Sequence, residues 1–369
     1  MRLPSGVRQL AERSGPMNIL HVEKALPPHR YRQDEIFDAM ISKWDGARIN
    51  RARLDRLQQT VGVKSRHLAL PLESYPEIED FTASNDHFIE AGTDLAEDAM
   101  RRALQAAGLD ATDIDAVFFV SVTGISTPSI DARLMNRLAL RPDVKRTPIF
   151  GLGCVAGAAG LARVHDYLQG FPDHIVALIS VELCSLTLQL NDFTPANLIA
   201  ATLFGDGGAC VLASGAESKV RPAGAAPSSI DTHSRFYPDT ETIMGWKIGA
   251  FGFRVLLDAT VPDLVNANLR RDVDGFLSGN GLCRDDIAWW VCHTGGPRVI
   301  DAIRDALGLP GEALSLTRRS LEEVGNLSSA SVLHVLADTI AERPAGNGDL
   351  GLLIAMGPGF CCEMVLLRW

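Results

Sequence analysis

The segment GLDATDIDAVFFVSVTGI, at residues 108–125, returns later in the chain in a related form, GLCRDDIAWWVCHTGG at residues 281–296. Both segments begin with Gly-Leu, place an Asp-Ile pair five residues on, continue into an apolar run and reach Thr-Gly, although the gap before Thr-Gly differs by two residues. An apolar run that ends in a turn is typical of a buried strand. A repeat of this kind predicts two copies of one α/β unit within the chain.

A second pair of segments supports the duplication. FGDGGACVLASG at residues 204–215 and MGPGFCCEMVLLRW at residues 356–369 each have a Gly-x-Gly turn that opens a short apolar strand. Strands also alternate with helical segments such as DLAEDAMRRALQAAGL at residues 94–109. This alternation indicates mainly parallel sheets covered by helices, in a layered α/β fold with two similar halves. The halves meet near residues 216–230, a stretch rich in Gly, Ala, Pro and Ser.

We therefore predict an N-terminal half over residues 17–220 and a C-terminal half over residues 221–369. Met17 is followed by the strand-like NILHV, so a translation start at Met1 and one at Met17 are both open. In the second case residues 1–16 are a loosely attached, flexible tail.

The composition describes a globular protein and excludes several classes. Hydrophobic residues make up 46% of the chain and charged residues 22%, so nothing indicates disorder or a fibre. The net charge of −10 argues against nucleic acid or an anionic membrane as the main partner, and no apolar run reaches the about 18 residues of a membrane span. The seven cysteines lack the spacing of a disulfide framework or of a zinc site, which predicts a cytoplasmic protein without a metal.

One candidate site is TPIFGLGCVAGAAGLARVHDYL at residues 147–168, where GLGCVA matches the G-x-G-x-x-G/A fingerprint of a dinucleotide-binding turn. In that interpretation Glu182, at the end of the next apolar strand, stands about where a ribose-binding acid would lie. In a second interpretation Cys154 is a nucleophile at the start of a helix, whose dipole lowers the pKa of the thiol. A third is a buried, inert cysteine. This stretch alone leaves all three open.

Two more polar residues stand at the ends of predicted elements. His293, in VCHTGGPRVIDAIRDAL, ends a buried strand, and from there an imidazole can pair with a thiolate and donate to a developing oxyanion. Asn326, in EEVGNLSSASVLHVL, precedes a helix, and its amide can donate to the same oxyanion. The alternatives are an ordinary core histidine and a plain helix N-cap. Together with Cys154, the two residues form a candidate set for acyl transfer.

Six segments occur in a fixed order between residues 53 and 369: GCVAGAAGL, LFGDGGA, GFRVLLDATVP, HTGGPRVI, GNLSSAS and MGPGF. In this order they resemble the type III polyketide synthases, the chalcone synthase-like branch of the thiolase fold. The resemblance implies a duplicated five-layer αβαβα unit with two mixed sheets. It also implies that Cys154 holds the growing acyl chain as a thioester, while His293 and Asn326 promote decarboxylation of malonyl-CoA.

The resemblance further assigns a gate and a substrate cavity. Its positions there are Phe204, Phe253, Cys184, Thr187, Thr123 and Thr127. Phe204 and Phe253 match two gatekeeping aromatic residues between a CoA tunnel and the cavity. Thr127 matches a residue that reaches toward the partner's cavity, which implies a homodimer.

A basic stretch, RINRARLDRLQQTVGVKSRHL at residues 48–68, is a candidate grip for the phosphates of CoA. Arg53 and Arg56 align with CoA-binding positions of the family, and Lys64 follows at near-helical spacing. Thr60 stands where plant members often have a lysine, which puts the individual phosphate contacts in doubt. The alternative is a solvated helix face.

The substrate is predicted from smaller similarities. ALPPHRYRQDEI and VTGISTPSIDARL resemble bacterial synthases of alkylpyrones and alkylresorcinols. We therefore expect a fatty acyl starter, extended by malonyl-CoA and released as an α-pyrone or a resorcinol, with no cofactor besides the CoA thioesters. Cys184 is also similar to a residue of synthases that make tetrahydroxynaphthalene from malonyl-CoA alone, so that alternative stays open.

Two rival classes share part of the pattern. An initiating ketoacyl-ACP synthase has the same Cys, His and Asn, but HTGGP and GPG here differ from the His-Gln-Ala-Asn and Gly-Ala-Gly expected of it. An acyl-CoA-binding protein without catalysis would not require all three polar residues.

Overall fold

The computed structural model describes residues 15–43, 56, 59–222, 224–343, 346 and 348–369. Most of the predicted tail, residues 1–14, and Arg53 lie outside the described residues. Within the described ranges, no helix combines the length and the apolar character needed to cross a membrane.

The strands follow the two predicted copies along the chain. Those of the first copy are β1 (Met17–Ala25), β2 (His29–Arg32), β3 (Ser65–Leu68), β4 (Ala116–Val120), β5 (Lys145–Ile149), β6 (Ile175–Leu183) and β7 (Asp206–Ser214). Those of the second copy are β8 (Ser228–Phe236), β9 (Met244–Gly249), β10 (Gly252–Leu257), β11 (Ile287–Cys292), β12 (Leu350–Gly357) and β13 (Cys361–Arg368).

The helices alternate with these strands. They are α1 (Gln33–Lys43), α2 (Phe81–Ala107), α3 (Ile130–Arg137), α4 (Ala156–Gly170), α5 (Pro195–Leu203), α6 (Val261–Gly279), α7 (Pro297–Leu307), α8 (Ser315–Val324) and α9 (Ser331–Glu342). In α2, the side chain of Asp80 accepts a hydrogen bond from the Ala83 N–H at 2.9 Å, and Gly108 ends the helix with φ 65. The helical pattern read at residues 94–109 is therefore only the second half of a helix that begins at Phe81.

The predicted duplication is visible in the strand order. In the first copy β4 pairs in parallel with β6, β6 antiparallel with β7, and β7 antiparallel with β1. In the second copy β11 pairs in parallel with β12, β12 antiparallel with β13, and β13 antiparallel with β8. The two sets meet through two residue pairs between β1 and β8. They thus form one nine-stranded sheet of the described strands, β11-β12-β13-β8-β1-β7-β6-β4-β5, and the predicted two sheets are joined at this edge.

Helices α4 and α9 form the middle of the molecule. Their apolar side chains share one buried cluster with residues of both strand sets, including Val120 and Leu178 from the first copy and Leu353 and Val365 from the second. Helices α2 and α3 pack on the outer face of the first set, and α6 and α7 pack on the outer face of the second set. The predicted αβαβα layering is therefore present. The division at residue 220 stays a prediction.

The closest approach within the middle layer occurs at Gly157, in the first turn of α4. A Cβ atom built on Gly157 would lie 2.1 Å from the carbonyl oxygen of Ser329, just before α9. A side chain cannot be accommodated at that distance, so glycine lets the two helices touch backbone to backbone. The contact brings Cys154, which precedes α4, beside the segment that leads into α9.

We expect Gly157→Ala to destabilise the protein and Gly170→Ala, at the other end of α4, to leave it nearly unchanged. The first substitution forces α4 and α9 apart, which should lower the free energy of unfolding by at least about 2 kcal/mol. A Cβ on Gly170 meets no atom within 4 Å. That control should stay within about 1 kcal/mol of the wild type. Urea unfolding followed by circular dichroism measures both, and equal effects of the two substitutions would contradict the close contact.

Candidate active site

Cys154 lies in a tight turn between β5 and α4. Gly153–Val155 form a 3-10 turn in which Gly153 has φ 57 and packs so closely on Pro358 that a Cβ would lie 2.7 Å from the proline Cδ. The Cys154 side chain is buried, and its Sγ is 3.7 Å from the Ser328 Oγ. The glycine of the GLGCVA turn thus makes room for a neighbouring protein segment.

Burial raises the pKa of the Cys154 thiol to about 12, although the hydrogen bond with Ser328 acts in the opposite direction. The nearby carboxyl group of Glu182 adds to the increase. The pKa of this thiol is therefore raised, not lowered as the nucleophile interpretation predicted, because burial removes the thiolate from water. Cys154 is a neutral thiol until a base accepts its proton.

His293 follows the carboxyl end of β11. Its backbone N–H donates to the Ile354 carbonyl at 3.0 Å, which ties it to the neighbouring strand β12. The imidazole is buried, and its Nδ1 has no hydrogen-bond partner among the described residues. Burial lowers the pKa of His293 to about 4, so the ring is neutral at pH 7 and can accept a proton as well as donate one.

Asn326 is held by backbone and side chain alike. Its N–H donates to the Leu203 carbonyl at 2.9 Å, and its carbonyl accepts from the Gly205 N–H at 3.0 Å, so that Phe204 and Asn326 form a short parallel bridge. The side-chain Oδ1 accepts from the Ser328 N–H at 2.8 Å. Since the oxygen accepts this bond, the NH₂ end of the amide remains as a donor, and the predicted role of Asn326 as an oxyanion donor stays a prediction.

The three predicted catalytic residues lie in the wall of one cavity, here called the main cavity. Its lining includes Cys154, His293, Asn326, Ser328, Val122, Cys184, Phe204, Trp246, Val255, Leu257, Gly295, Val299 and Phe360. The wall is largely apolar, so water is scarce around the thiol, the imidazole and the amide, and hydrogen bonds to a developing charge are strong there. Such an arrangement suits acyl transfer through a cysteine thioester.

A second cavity, here called the side cavity, adjoins the main cavity. Both are lined by Cys184, Phe204, Trp246 and Val255. The remaining wall of the side cavity is mostly apolar and includes Ile36, Met40, Leu68, Leu72, Thr187, Leu188 and Ala201. Of the predicted cavity residues, Cys184 therefore lines both cavities and Thr187 lines the side cavity.

The predicted gate is only partly at the cavity surface. Phe204 lines both cavities. Phe253 is 2% exposed and packs edge-to-face on Phe81 at 5.4 Å between ring centroids. Its ring also lies 5.9 Å from that of Trp246, which is the residue that faces the cavities. Phe253 thus supports the wall, and Trp246, which the sequence patterns did not single out, forms it.

Thr123 lies behind the wall of the main cavity. Its hydroxyl donates to Glu182 at 2.9 Å and accepts from the Leu183 N–H at 2.9 Å, while its neighbour Val122 faces the cavity. Glu182 is fully buried and also accepts from the Val122 N–H and the Ser329 hydroxyl. A carboxyl group enclosed in this way cannot bind a ribose. The interpretation of GLGCVA and Glu182 as a dinucleotide-binding site is therefore wrong.

The predicted partner and CoA contacts lie at the surface. Thr127 is exposed in the turn before α3, away from the lining of both cavities. Arg56 is exposed, and Arg53 lies outside the described residues. The ammonium of Lys64 forms an ion pair with Glu322, so Lys64 already has a carboxylate partner. No group of three or more His, Cys, Asp or Glu residues in the described ranges could hold a metal ion.

Arg66, in β3, is a positioning residue that the sequence analysis missed. Its buried guanidinium donates to the carbonyl oxygens of Phe204 at 2.7 Å and Ala201 at 2.8 Å, and to Gln33 at 2.9 Å. Burial lowers the pKa of Arg66 to about 10, which leaves it charged at pH 7. It therefore holds Phe204, one half of the bridge with Asn326, and it lines the side cavity. A charged residue within the strand-like SRHLAL was the available signal.

Comparison with known proteins shows the family to which the chain belongs. The profile of "Chalcone and stilbene synthases, N-terminal domain" matches residues 5–217, and that of "Chalcone and stilbene synthases, C-terminal domain" matches residues 230–369. The chain is 52% identical over 352 residues to the 1,3,6,8-tetrahydroxynaphthalene synthase of Streptomyces peucetius subsp. caesius, covering 95% of this chain and 93% of that protein. It is 32% identical over 352 residues to the phloroglucinol synthase of Pseudomonas fluorescens, covering 93% and 96%.

Solved structures of the same enzyme class superpose on this fold. The crystal structure of the 1,3,6,8-tetrahydroxynaphthalene synthase of Streptomyces coelicolor, described as a bacterial type III polyketide synthase, superposes with a TM-score of 0.88 at 30% identity over 96% of this chain and 99% of that one. The fold and the cysteine site define a condensing acyltransferase of the thiolase type. The chain belongs to the chalcone and stilbene synthase family and is a bacterial type III polyketide synthase.

The buried neutral state of His293 predicts a pH dependence of stability. Unfolding returns the imidazole to its ordinary pKa of about 6.5, whereas the folded protein holds it near 4. Between these values the unfolded state binds a proton that the folded state does not, so the free energy of unfolding should fall as the pH falls from 6.5 toward 4. The loss from this one group approaches about 3 kcal/mol.

We expect His293→Gln to reduce that pH slope by about one proton. His334, on α9, is a second buried imidazole whose pKa is lowered to about 4, so part of the slope should remain in the variant. Urea unfolding at several pH values between 4 and 7 gives the slope. A variant with the same slope as the wild type would contradict the neutral, buried His293.

Proposed function

We propose that this type III polyketide synthase uses malonyl-CoA both as starter and as extender, as an enzyme of the tetrahydroxynaphthalene synthase type. The observation that carries the proposal is the 52% identity to a 1,3,6,8-tetrahydroxynaphthalene synthase over nearly the whole of both chains, together with Cys184 in the cavity wall. A compact apolar main cavity beside Cys154 suits a chain that is built only from two-carbon units and folds back on itself.

In the proposed mechanism Cys154 is the nucleophile. Its sulfur attacks the carbonyl carbon of the starter thioester, the thiol proton passes to the neutral His293, and the bond to the CoA sulfur breaks as CoA leaves with a proton. The proton transfer is required because burial keeps the thiol protonated. The acyl group then remains on Cys154 as a thioester.

Extension follows at the same cavity. Hydrogen bonds from His293 and Asn326 reach the thioester oxygen of a malonyl-CoA, the bond to its carboxylate breaks, and CO₂ leaves an enolate that these donors stabilise. The enolate carbon attacks the carbonyl carbon of the acyl-Cys154 thioester and releases the cysteine sulfur. The Oδ1 cap on Asn326 keeps the amide NH₂ in the donor orientation during these steps.

We expect Cys154→Ala and Asn326→Ala to separate the two half-reactions. Without the thiol no acyl group can be loaded, so polyketide formation should stop while some decarboxylation of malonyl-CoA to acetyl-CoA continues. Without the amide one oxyanion donor is lost, and decarboxylation should fall about 100-fold. Chromatography of the CoA esters and mass spectrometry of the product measure both. Full-length polyketide from the Cys154→Ala enzyme would disprove the assigned nucleophile.

A fatty acyl starter, with release of an α-pyrone or resorcinol, is the second candidate. It is favoured by the side cavity, whose apolar wall could hold an alkyl chain beyond Phe204 and Trp246. In this case Trp246 limits how far an acyl chain reaches from Cys154.

The starter is identified from the labelled carbons of the product when ¹³C-labelled malonyl-CoA is supplied alone and together with unlabelled long-chain acyl-CoA. We expect an aromatic product that contains only labelled carbons in the wild type. Trp246→Ala joins the two cavities and should raise kcat/KM for long-chain starters at least about tenfold, since several buried methylene groups gain a site. Phe251→Ala, at the 71% exposed tip of the same β9–β10 pair, is the matched control and should change neither value. An unlabelled alkyl chain in the main wild-type product would favour the second candidate.

The oligomeric state and the cellular location of the enzyme are further proposals. We propose a homodimer, supported by the exposed side chains of the edge strand β5, of Phe150 directly after it and of Ile125 in the loop that follows β4, with exposed fractions of 53% and 42% for the last two. Thr127 lies in the same exposed loop as Ile125, where it could reach a partner's cavity. We also propose that the enzyme acts in the cytoplasm and needs no cofactor besides its CoA thioesters.

A further inference from the structure

The proposed CoA thioester substrate carries phosphates. The basic stretch at residues 48–68, which is predicted to bind them, offers few free cations among its described residues. Thr60 in this stretch is uncharged, and the Lys64 ammonium is paired with Glu322. The whole chain has a net charge of −10, so its overall field repels a polyanion. A phosphate-binding surface here needs a local cation without a carboxylate partner.

Arg298 has these properties. It is the second residue of α7, is exposed, and has no hydrogen-bond or ion-pair partner within the described part of the chain. The other arginines of α7 and of the adjacent α8 all have acidic partners: Arg304 pairs with Asp301 and Asp305, Arg318 with Asp301, and Arg319 with Glu342. Because no carboxylate pairs with Arg298, the N–H groups of its guanidinium are available to bind an anion.

The position of Arg298 is at the rim of the main cavity. Its neighbour Val299 and the preceding Gly295 are partly exposed lining residues of that cavity. On the other side, Pro297 packs against Gly62, whose Cβ would lie 3.3 Å from the proline Cγ. The first turn of α7 is thus enclosed between the cavity opening and the segment that follows Arg56.

We propose that Arg298 binds a phosphate of the CoA thioester at the opening of the main cavity. The inference rests on the proposed CoA thioester substrate. In this arrangement the pantetheine arm runs inward past Val299 toward Cys154, and the nucleotide phosphates remain outside beside Arg298 and Arg56.

The test compares a substrate that has the phosphates with one that lacks them. We expect Arg298→Ala to raise the KM for malonyl-CoA about tenfold, the size of one lost charge-assisted contact, with little change in kcat. The kcat/KM for the N-acetylcysteamine thioester of malonate, which has no phosphate, should not follow that loss. Arg298→Lys should recover part of the affinity because it keeps the charge without the fork. Arg304→Ala, at the ion-paired far end of the same helix, is the matched control.

Binding of free CoA, measured by calorimetry at two salt concentrations, separates this inference from the proposed function. Wild-type protein that does not bind CoA would remove the proposed substrate. If the Arg298→Ala variant binds CoA as tightly as the wild-type protein does, only the role of Arg298 is overturned. Equal losses on the phosphate-bearing and phosphate-free thioesters would also overturn it, because they would place the effect inside the cavity. The expected result is weaker CoA binding by the variant, with a smaller dependence on salt.

Discussion

The site depends on the backbone contact between α4 and α9 in the middle of the molecule. Gly157 has no side chain to separate the first turn of α4 from the Ser329 carbonyl, so the segments that precede the two helices lie side by side. One of these segments carries Cys154 and the other carries Asn326. Because the contact joins the first copy of the α/β unit to the second, Cys154 and Asn326, the proposed nucleophile and oxyanion donor, meet only when both copies have folded against each other.

Buried Glu182 connects several segments of the same region by hydrogen bonds. Its carboxyl group accepts hydrogen bonds from Thr123, the Val122 N–H and Ser329, which connects β6 to the turns on both sides of the main cavity. Burial raises the pKa of Glu182, and the group in turn raises the pKa of Cys154. The resting site therefore disfavours a thiolate, and the thiol, the imidazole and the amide are all neutral before substrate enters. Charge develops only during the reaction, where fixed donors stabilise it most.

The sequence predicted the parts of the structure that have a local pattern. The echo between residues 108–125 and 281–296 corresponds to the equivalent strands β4 and β11, and the chain order of Cys154, His293 and Asn326 indicated one cavity. The patterns could not predict which face of a segment is turned to the cavity. Phe253 and Thr123 match cavity positions by alignment, yet Trp246 and Val122 form the wall, because the direction of a side chain depends on the packing of distant segments. The pKa of Cys154 was missed for a related reason, since burial is a tertiary property.

The two copies also share a feature that lies outside the nine-stranded sheet. Each copy inserts an antiparallel strand pair between its first strand and its long outer helix: β2 with β3 in the first, and β9 with β10 in the second. Arg66 and Leu68 of the first pair and Trp246 and Val255 of the second pair line the side cavity. The repeated frame therefore carries Cys154, His293 and Asn326, whereas the inserted pairs, apart from the contact of Arg66 with Phe204, shape the space beside them. Substitutions in these pairs can change the room available to a starter without moving α4 against α9, so the same catalytic frame can serve different acyl chains.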